Sequence, residues 1–317
     1  MSLSSVEVPL PPDLAVTDIV VGPASRSSRF AAALAVVQTG MLLLMTGTIA
    51  TKVWQDDIWV GWGIVVVTVL AWLPELRRPR ARRWWFAYVA GIFIYTLLRS
   101  YAGKTFIPIQ TGYVISVDKD LFRGTLPVLW LQARLFSPTH VSPLDMLAVG
   151  VHWSFFIAPH ACAIAIFVWR RELFPRYVAL VVGTMYLGLV LFFLVPTTPP
   201  WLASQANDLP GRAFRIMDFV GGQVDLDTYR TFYASLAEPN SVAAMPSIHM
   251  GVTFAMYLWA RDHYPKVAPV LLVYSLVMGL ALIYLAEHYV LDLAAGVACA
   301  FVCHLASRRL VPAPATF

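Results

Sequence analysis

Eight runs of mostly apolar residues, parted by clusters of charge and proline, leave this chain few ways to fold; they fall at 30–50, 58–73, 84–98, 147–169, 177–195, 248–260, 267–286 and 289–306. In hydrocarbon every backbone N–H and C=O must be bonded within the protein, and a helix of about 20 apolar residues meets that demand while spanning the bilayer. The chain is therefore predicted to be an all-α polytopic membrane protein, a helical bundle of about eight transmembrane helices. The sixth run is short and is expected to continue to about residue 262. Composition agrees, with 59% of residues hydrophobic and 13% charged, well outside the soluble average. The formal net charge of +5 calls for no nucleic acid, because polytopic proteins gather Lys and Arg on their cytoplasmic loops. Cys162, Cys299 and Cys303 all lie inside apolar runs, without CxxC or Cys/His ligand spacing, and are read as packing residues.

Basic residues resist translocation, so their distribution over alternate loops sets the orientation. One side holds 14 of the 23, from Arg26 and Arg29 through the cluster 77–83, Arg170, Arg171, Arg176, Arg261 and Lys266 to Arg308 and Arg309. The other side holds Lys52, Arg99, Lys104, Lys119, Arg123, Arg134, Arg212, Arg215 and Arg230, spread over far longer loops. Both termini are thus expected to be cytoplasmic. The organisation expected is a flexible cytoplasmic tail at 1–29, peripheral and entry helices at 30–98, and an outward loop at 99–146. A core of membrane helices at 147–307 and a cytoplasmic tail at 308–317 follow. Residues 126–136, inside the outward loop, are apolar enough to form a short interfacial helix. The second long outward segment is 196–247, and loops of this size in a bundle tend to be functional or partly helical.

Chemistry concentrates at two places, Met245-Pro246-Ser247-Ile248-His249-Met250-Gly251 and His288-Tyr289-Val290-Leu291-Asp292-Leu293-Ala294-Ala295-Gly296. Pro246 disfavours helix before it and Ser247 can cap the span that follows. His249 then falls in a first turn, beside unpaired N–H groups that attract phosphate. His288 and Asp292 are spaced i,i+4, so on a helix they face the same way, and the carboxylate can fix the imidazole tautomer. One span runs inward from His249 and the next returns outward to His288. The two histidines are therefore expected within about one helix pitch, ~5.4 Å, of the same depth. Glu287, His288 and Asp292 have no second ligand cluster near them in sequence, and no metal is expected.

These motifs resemble the second and third motifs of the type 2 phosphatidic acid phosphatase (PAP2) superfamily. Asp120-Leu121-Phe122-Arg123-Gly124-Thr125-Leu126-Pro127, His152-Trp153-Ser154-Phe155-Phe156 and Pro196-Thr197-Thr198-Pro199-Pro200-Trp201 further resemble its inositol phosphorylceramide synthase branch. The resemblance covers about 99–296. It implies a PAP2-like core in which His288 is the nucleophile that forms a phosphohistidine, Asp292 orients it, and His249 serves as general acid and then base. Neither metal nor cofactor enters that scheme. The phosphatases also carry a Ser-Arg pair ahead of the third-motif histidine, its Arg holding phosphate, whereas residues 280–285 here read Leu280-Ala281-Leu282-Ile283-Tyr284-Leu285. The missing charge is expected from outward cations, with Arg99 first and Lys104, Lys119, Arg123 and Arg134 after it. His152 is expected to line an acceptor pocket, with Trp153, Phe155, Phe156 and Trp201 as apolar neighbours suited to a lipid chain.

The function the resemblance implies is transfer of a phosphoryl headgroup, plausibly phosphoinositol from phosphatidylinositol, to the hydroxyl of a lipid or small alcohol. The alternative is a lipid phosphate or polyprenyl phosphate phosphatase of the same superfamily. A transporter would carry ionisable side chains deep within its spans. Among Asp, Glu, Lys and Arg the eight runs hold only Asp292, near one end.

Overall fold

The computed structural model describes residues 79–99, 101–104, 106–224 and 242–311. The predicted tail at 1–29 and the first two apolar runs, 30–50 and 58–73, lie outside the described residues. So do 225–241 of the second outward segment and 312–317 of the C-terminal tail.

Among the described residues every extended element is helical. Helix α1 is Pro79–Arg99, and the first outward segment then contains α2, Gly112–Leu121, and α3, Pro127–Leu135. Helices α4, Pro143–Ser154, and α5, Ala158–Trp169, follow, then a 3₁₀ turn and α6, Phe174–Leu194. Short helices α7, Pro200–Gln205, and α8, Ile216–Val224, occupy the second outward segment. The chain closes with α9, Ile248–His263, α10, Ala268–Tyr284, and α11, Val290–Leu310.

Two of these stretches, Arg171–Leu194 and Val290–Leu310, are long and apolar enough to cross a membrane, and α4 with α5 make a third if the bent pair is one span. A single continuous fourth span was the expectation from the apolar pattern. The structure breaks it, with a bend of 43° between α4 and α5. The cause is local: the N–H groups of Phe155, Phe156 and Ile157 bond three residues back, to the carbonyls of His152, Trp153 and Ser154 at 3.2, 3.0 and 3.0 Å. Ser154 Oγ also takes up the Val151 carbonyl at 2.6 Å. Pro159, at the start of α5, has no N–H with which to continue the earlier ladder.

Helix α9 packs against α10, α11 and α6, and α11 packs against α6, which also carries α1. The short helices of the two long connecting segments fold back onto this group. Val114, Ile115, Leu126 and Val128 are buried in one cluster with Leu282, Ile283, Tyr289 and Leu293. Ile216, Met217 and Val220 of α8 are buried with Ala148, Val149 and Tyr284. The apolar stretch 126–136 marks α3 in the sequence, whereas α2, α7 and α8 lie in segments that read only as long connections. The far side of α3 stays exposed, with Arg134 stacked 4.1 Å over the Trp130 ring.

Buried polar groups lock these layers together. Gln132 Nε2 donates to the Phe214 and Tyr284 carbonyls, each at 2.8 Å, while its Oε1 accepts from Phe214 N at 2.8 Å. Asp145 caps its own helix by accepting from Ser142 N and Oγ at 2.7 and 2.8 Å, and it accepts from Tyr284 Oη at 2.5 Å. Leaving such a group unpaired inside a fold costs about 1–3 kcal/mol, so the register of α3 and α4 against α10 is tightly specified.

Candidate active site

The turn between α10 and α11 carries His288. The Leu282 carbonyl accepts from Glu287 N at 3.0 Å and His288 N at 3.3 Å, and Ala286 takes φ +63° to close the turn. Trp201 N donates to the Ala286 carbonyl at 3.1 Å, tying α7 to the same turn. The first turn of α11 then disposes of its free N–H groups in two ways. Asp292 reaches back, its Oδ2 accepting from Tyr289 N at 2.8 Å and standing 3.4 Å from His288 Nδ1. Asp118 of α2 reaches across, its two oxygens accepting from Val290 N at 3.0 Å and Leu291 N at 3.1 Å. Burial pushes the Asp118 carboxyl above the ordinary carboxylate range, against the two backbone bonds that favour its charged form.

His249 enters from α9. Ser247, fully buried, caps that helix by accepting from Met250 N at 3.3 Å, and its own N–H donates to the Asp292 carbonyl at 2.9 Å. The two motifs are thus joined through their backbones. Upstream, Thr197 bridges Gln110 and Ala243: its N–H bonds to the Val242 carbonyl at 2.9 Å and its carbonyl accepts from Ala244 N at 3.1 Å. The stretch Pro196 to Pro200 is therefore a backbone clamp that presents residues 245–249 to the turn at 286–288.

The result is a cluster of imidazoles. The His249 ring centroid lies 5.9 Å from that of His288, 4.6 Å from His152 and 4.3 Å from Phe155. The α4–α5 break brings His152 and Phe155 to this point, and His152 is buried. Among the described residues His249 Nε2 and Asp292 Oδ1 are buried without a hydrogen bond. No group of three or more His, Cys, Asp or Glu among them could hold a metal ion.

The sequence-predicted cations part company here. Arg99, half-buried at the end of α1, is near enough for its charge to act on both His152 and His249. Lys104 is exposed, with Nζ 5.8 Å from the centre of the Tyr101 ring. Arg123 is exposed in a tight turn at φ +54°. Lys119 is half-buried on α2, and Arg134 is occupied over Trp130. Two charged residues that sequence reasoning passed over stand beside the cluster instead. Arg215 acts on His152 and pairs with Glu287, directly before His288, at 3.0 Å. Asp118, two residues ahead of the Asp120–Pro127 motif, holds the start of α11. Neither had a local signal, because the partners beside the cluster lie 63 or more positions away.

A family model described as the PAP2 superfamily matches residues 129–306. The inositol phosphorylceramide synthase catalytic subunit AUR1 of Saccharomyces cerevisiae is 30% identical over 208 residues, covering 62% of this chain and 48% of the yeast protein. The chain spans about half the length of that curated relative. No solved structure matches.

Proposed function

Because the chain belongs to the PAP2 superfamily, and so is an integral membrane enzyme acting on lipid phosphate groups, we propose that it transfers a phosphoryl headgroup between lipids through a phosphohistidine. The observation that carries this reading is the pairing of His249 with His288 at 5.9 Å between ring centroids, with Asp292 3.4 Å behind the Nδ1 of His288. Asp292 keeps the Nδ1 proton of His288, which leaves the Nε2 lone pair to attack phosphorus. As the N–P bond forms, the P–O bond to the departing alcohol breaks, and His249 gives its proton to that oxygen. His249 then takes the proton of an incoming hydroxyl, whose oxygen displaces His288 from phosphorus. Arg99 and Arg215 balance the charge of the phosphoryl group.

The donor in this proposal is phosphatidylinositol and the acceptor a ceramide-like lipid, a reading supported by the name of the yeast relative. Phe155 against His249, with Phe156 6.2 Å from it, gives the acceptor side an apolar wall. His152 packs against both, its ring centroid 4.6 Å from that of His249 and 6.1 Å from that of Phe156. The proposed frame has eight spans, peripheral helices at 30–98, the core at 147–307, both termini cytoplasmic and the histidines on the extracytoplasmic face. Arg308 and Arg309 in the last turn of α11, with Arg261 in the last turn of α9 and Lys266 just beyond it, support that orientation.

The test is product analysis. Purified enzyme is incubated with defined phospholipids, with and without a long-chain hydroxylated lipid, and followed by mass spectrometry. Slow hydrolysis alone, and faster headgroup transfer when the acceptor is added, are expected. Fast release of inorganic phosphate from a lipid monophosphate, indifferent to every alcohol, would replace the transferase reading by a phosphatase.

A further inference from the structure

The ion pair beside His288 has a composition that bears on which phosphate the site admits. Arg215 directs Nε at Oε1 of Glu287 at 3.0 Å, with the two side chains only 10% and 9% exposed. Its guanidinium lies 4.2 Å over the Trp201 ring. Trp201 in turn is bonded to Ala286, in the same turn. A second carboxylate, Asp218, stands 3.6 Å from Arg215 Nη1 but is half exposed, so water screens it. The other charged groups nearby are committed: Asp292 to His288 and Tyr289 N, Asp118 to Val290 N and Leu291 N.

A buried carboxylate therefore already neutralises part of the cation next to the reacting histidine. At neutral pH a phosphomonoester carries about −1.5 to −2 charges, whereas a phosphodiester carries one. Arg215 and Arg99 together meet a single negative charge comfortably. A second charge would be brought against Glu287 in a region where water screens little, and like charges at such range repel strongly. A site built for monoesters gains from cations without a fixed carboxylate among them.

We propose that Glu287, through its ion pair with Arg215, is a specificity-determining residue that holds the site to phosphodiester donors and disfavours phosphomonoester dianions. The inference rests on the reading of His288 as the phosphoryl-accepting residue. It says why one branch of a phosphatase fold would spare lipid monophosphates: the selection is electrostatic, and it is made before any bond breaks.

The experiment measures binding, so that it stands apart from turnover. Full-length protein in detergent carries His288→Ala, alone or combined with Glu287→Gln or Glu287→Asp. Affinities for dihexanoyl phosphatidic acid and dihexanoyl phosphatidylinositol are read by titration calorimetry. Glu287→Gln is expected to raise monoester affinity relative to diester affinity by about tenfold. Glu287→Asp, which keeps the charge, is expected to leave that ratio unchanged. An unaltered ratio in the Gln variant, an equal loss of both lipids, or the same shift in the Asp variant each overturns the proposal. Absence of a phosphoenzyme in the unsubstituted chain would instead sink the transfer mechanism, and it is read in a separate assay.

Discussion

Gly296 meets the carbonyl oxygen of Ser247 with no room for a Cβ between them. Gly251 makes the reciprocal approach: a Cβ there would lie 3.0 Å from the Gly296 carbonyl oxygen and 3.1 Å from Thr184 Cγ2. The closing glycines of the two histidine motifs are thus one contact seen from both sides. Helices α9 and α11 touch backbone to backbone, one turn along from Asp292, and this sets how far apart His249 and His288 stand.

Gly296→Ala should force those helices apart. Overpacking of this kind costs about 1–3 kcal/mol, and the imidazoles should separate with the helices. A lower melting temperature in detergent and a loss of turnover larger than the loss of substrate affinity are expected. Unchanged melting and turnover would show that the contact does not set the spacing.

Asp118 acts at a distance from the chemistry, by gripping the amides of Val290 and Leu291. Removing a helix cap costs about 0.5–2 kcal/mol, and the first turn of α11 is where His288 and Asp292 are aligned. Asp118→Ala should lower kcat with little change in KM, and Asp118→Asn, which keeps one acceptor, should fall between it and the wild type. Equal kcat in all three would remove Asp118 from any positioning role.

Under the proposed mechanism His288 bears the phosphoryl group. His288→Ala should abolish both acid-quenched phosphoenzyme trapping and turnover while leaving the fold intact by circular dichroism. Asp292→Asn should stay folded and lose most activity, since the amide can present the wrong group to Nδ1. Appreciable steady-state turnover by folded His288→Ala protein would rule the assignment out.

Orientation can be read by labelling. His140 and Lys266 are both exposed and lie at opposite predicted faces. In a chain stripped of its three cysteines, His140→Cys should react with an impermeant thiol reagent from the extracytoplasmic side of sealed vesicles. Lys266→Cys should react only after permeabilisation. The reverse pattern would overturn the sidedness of the site.

Some of this geometry follows from local rules. The i,i+4 spacing of His288 and Asp292 places them on one face of a helix wherever that helix lies. The short turn between α9 and α10 returns the chain toward the level at which α9 began, and the contact of α9 with α11 then brings His249 to His288. The bend at 155–157 is different. The apolar run 147–169 reads as continuous, and only the tight turn of Phe155 to Ile157, with Pro159 after it, divides it. That break delivers His152 and Phe155 to His249.

What the sequence determined by itself is the class of molecule and the two motifs from which the proposed reacting residues come, because apolar length and short motifs are properties of consecutive positions. The tertiary structure decided which charges surround those residues. Arg215 and Glu287 are 72 positions apart, and Asp118 lies 172 positions before Val290. No spacing rule links such pairs. They meet because the short helices α2, α3, α7 and α8 bury one side against the bundle near the turn between α10 and α11, and there a buried carboxylate or guanidinium must find a partner.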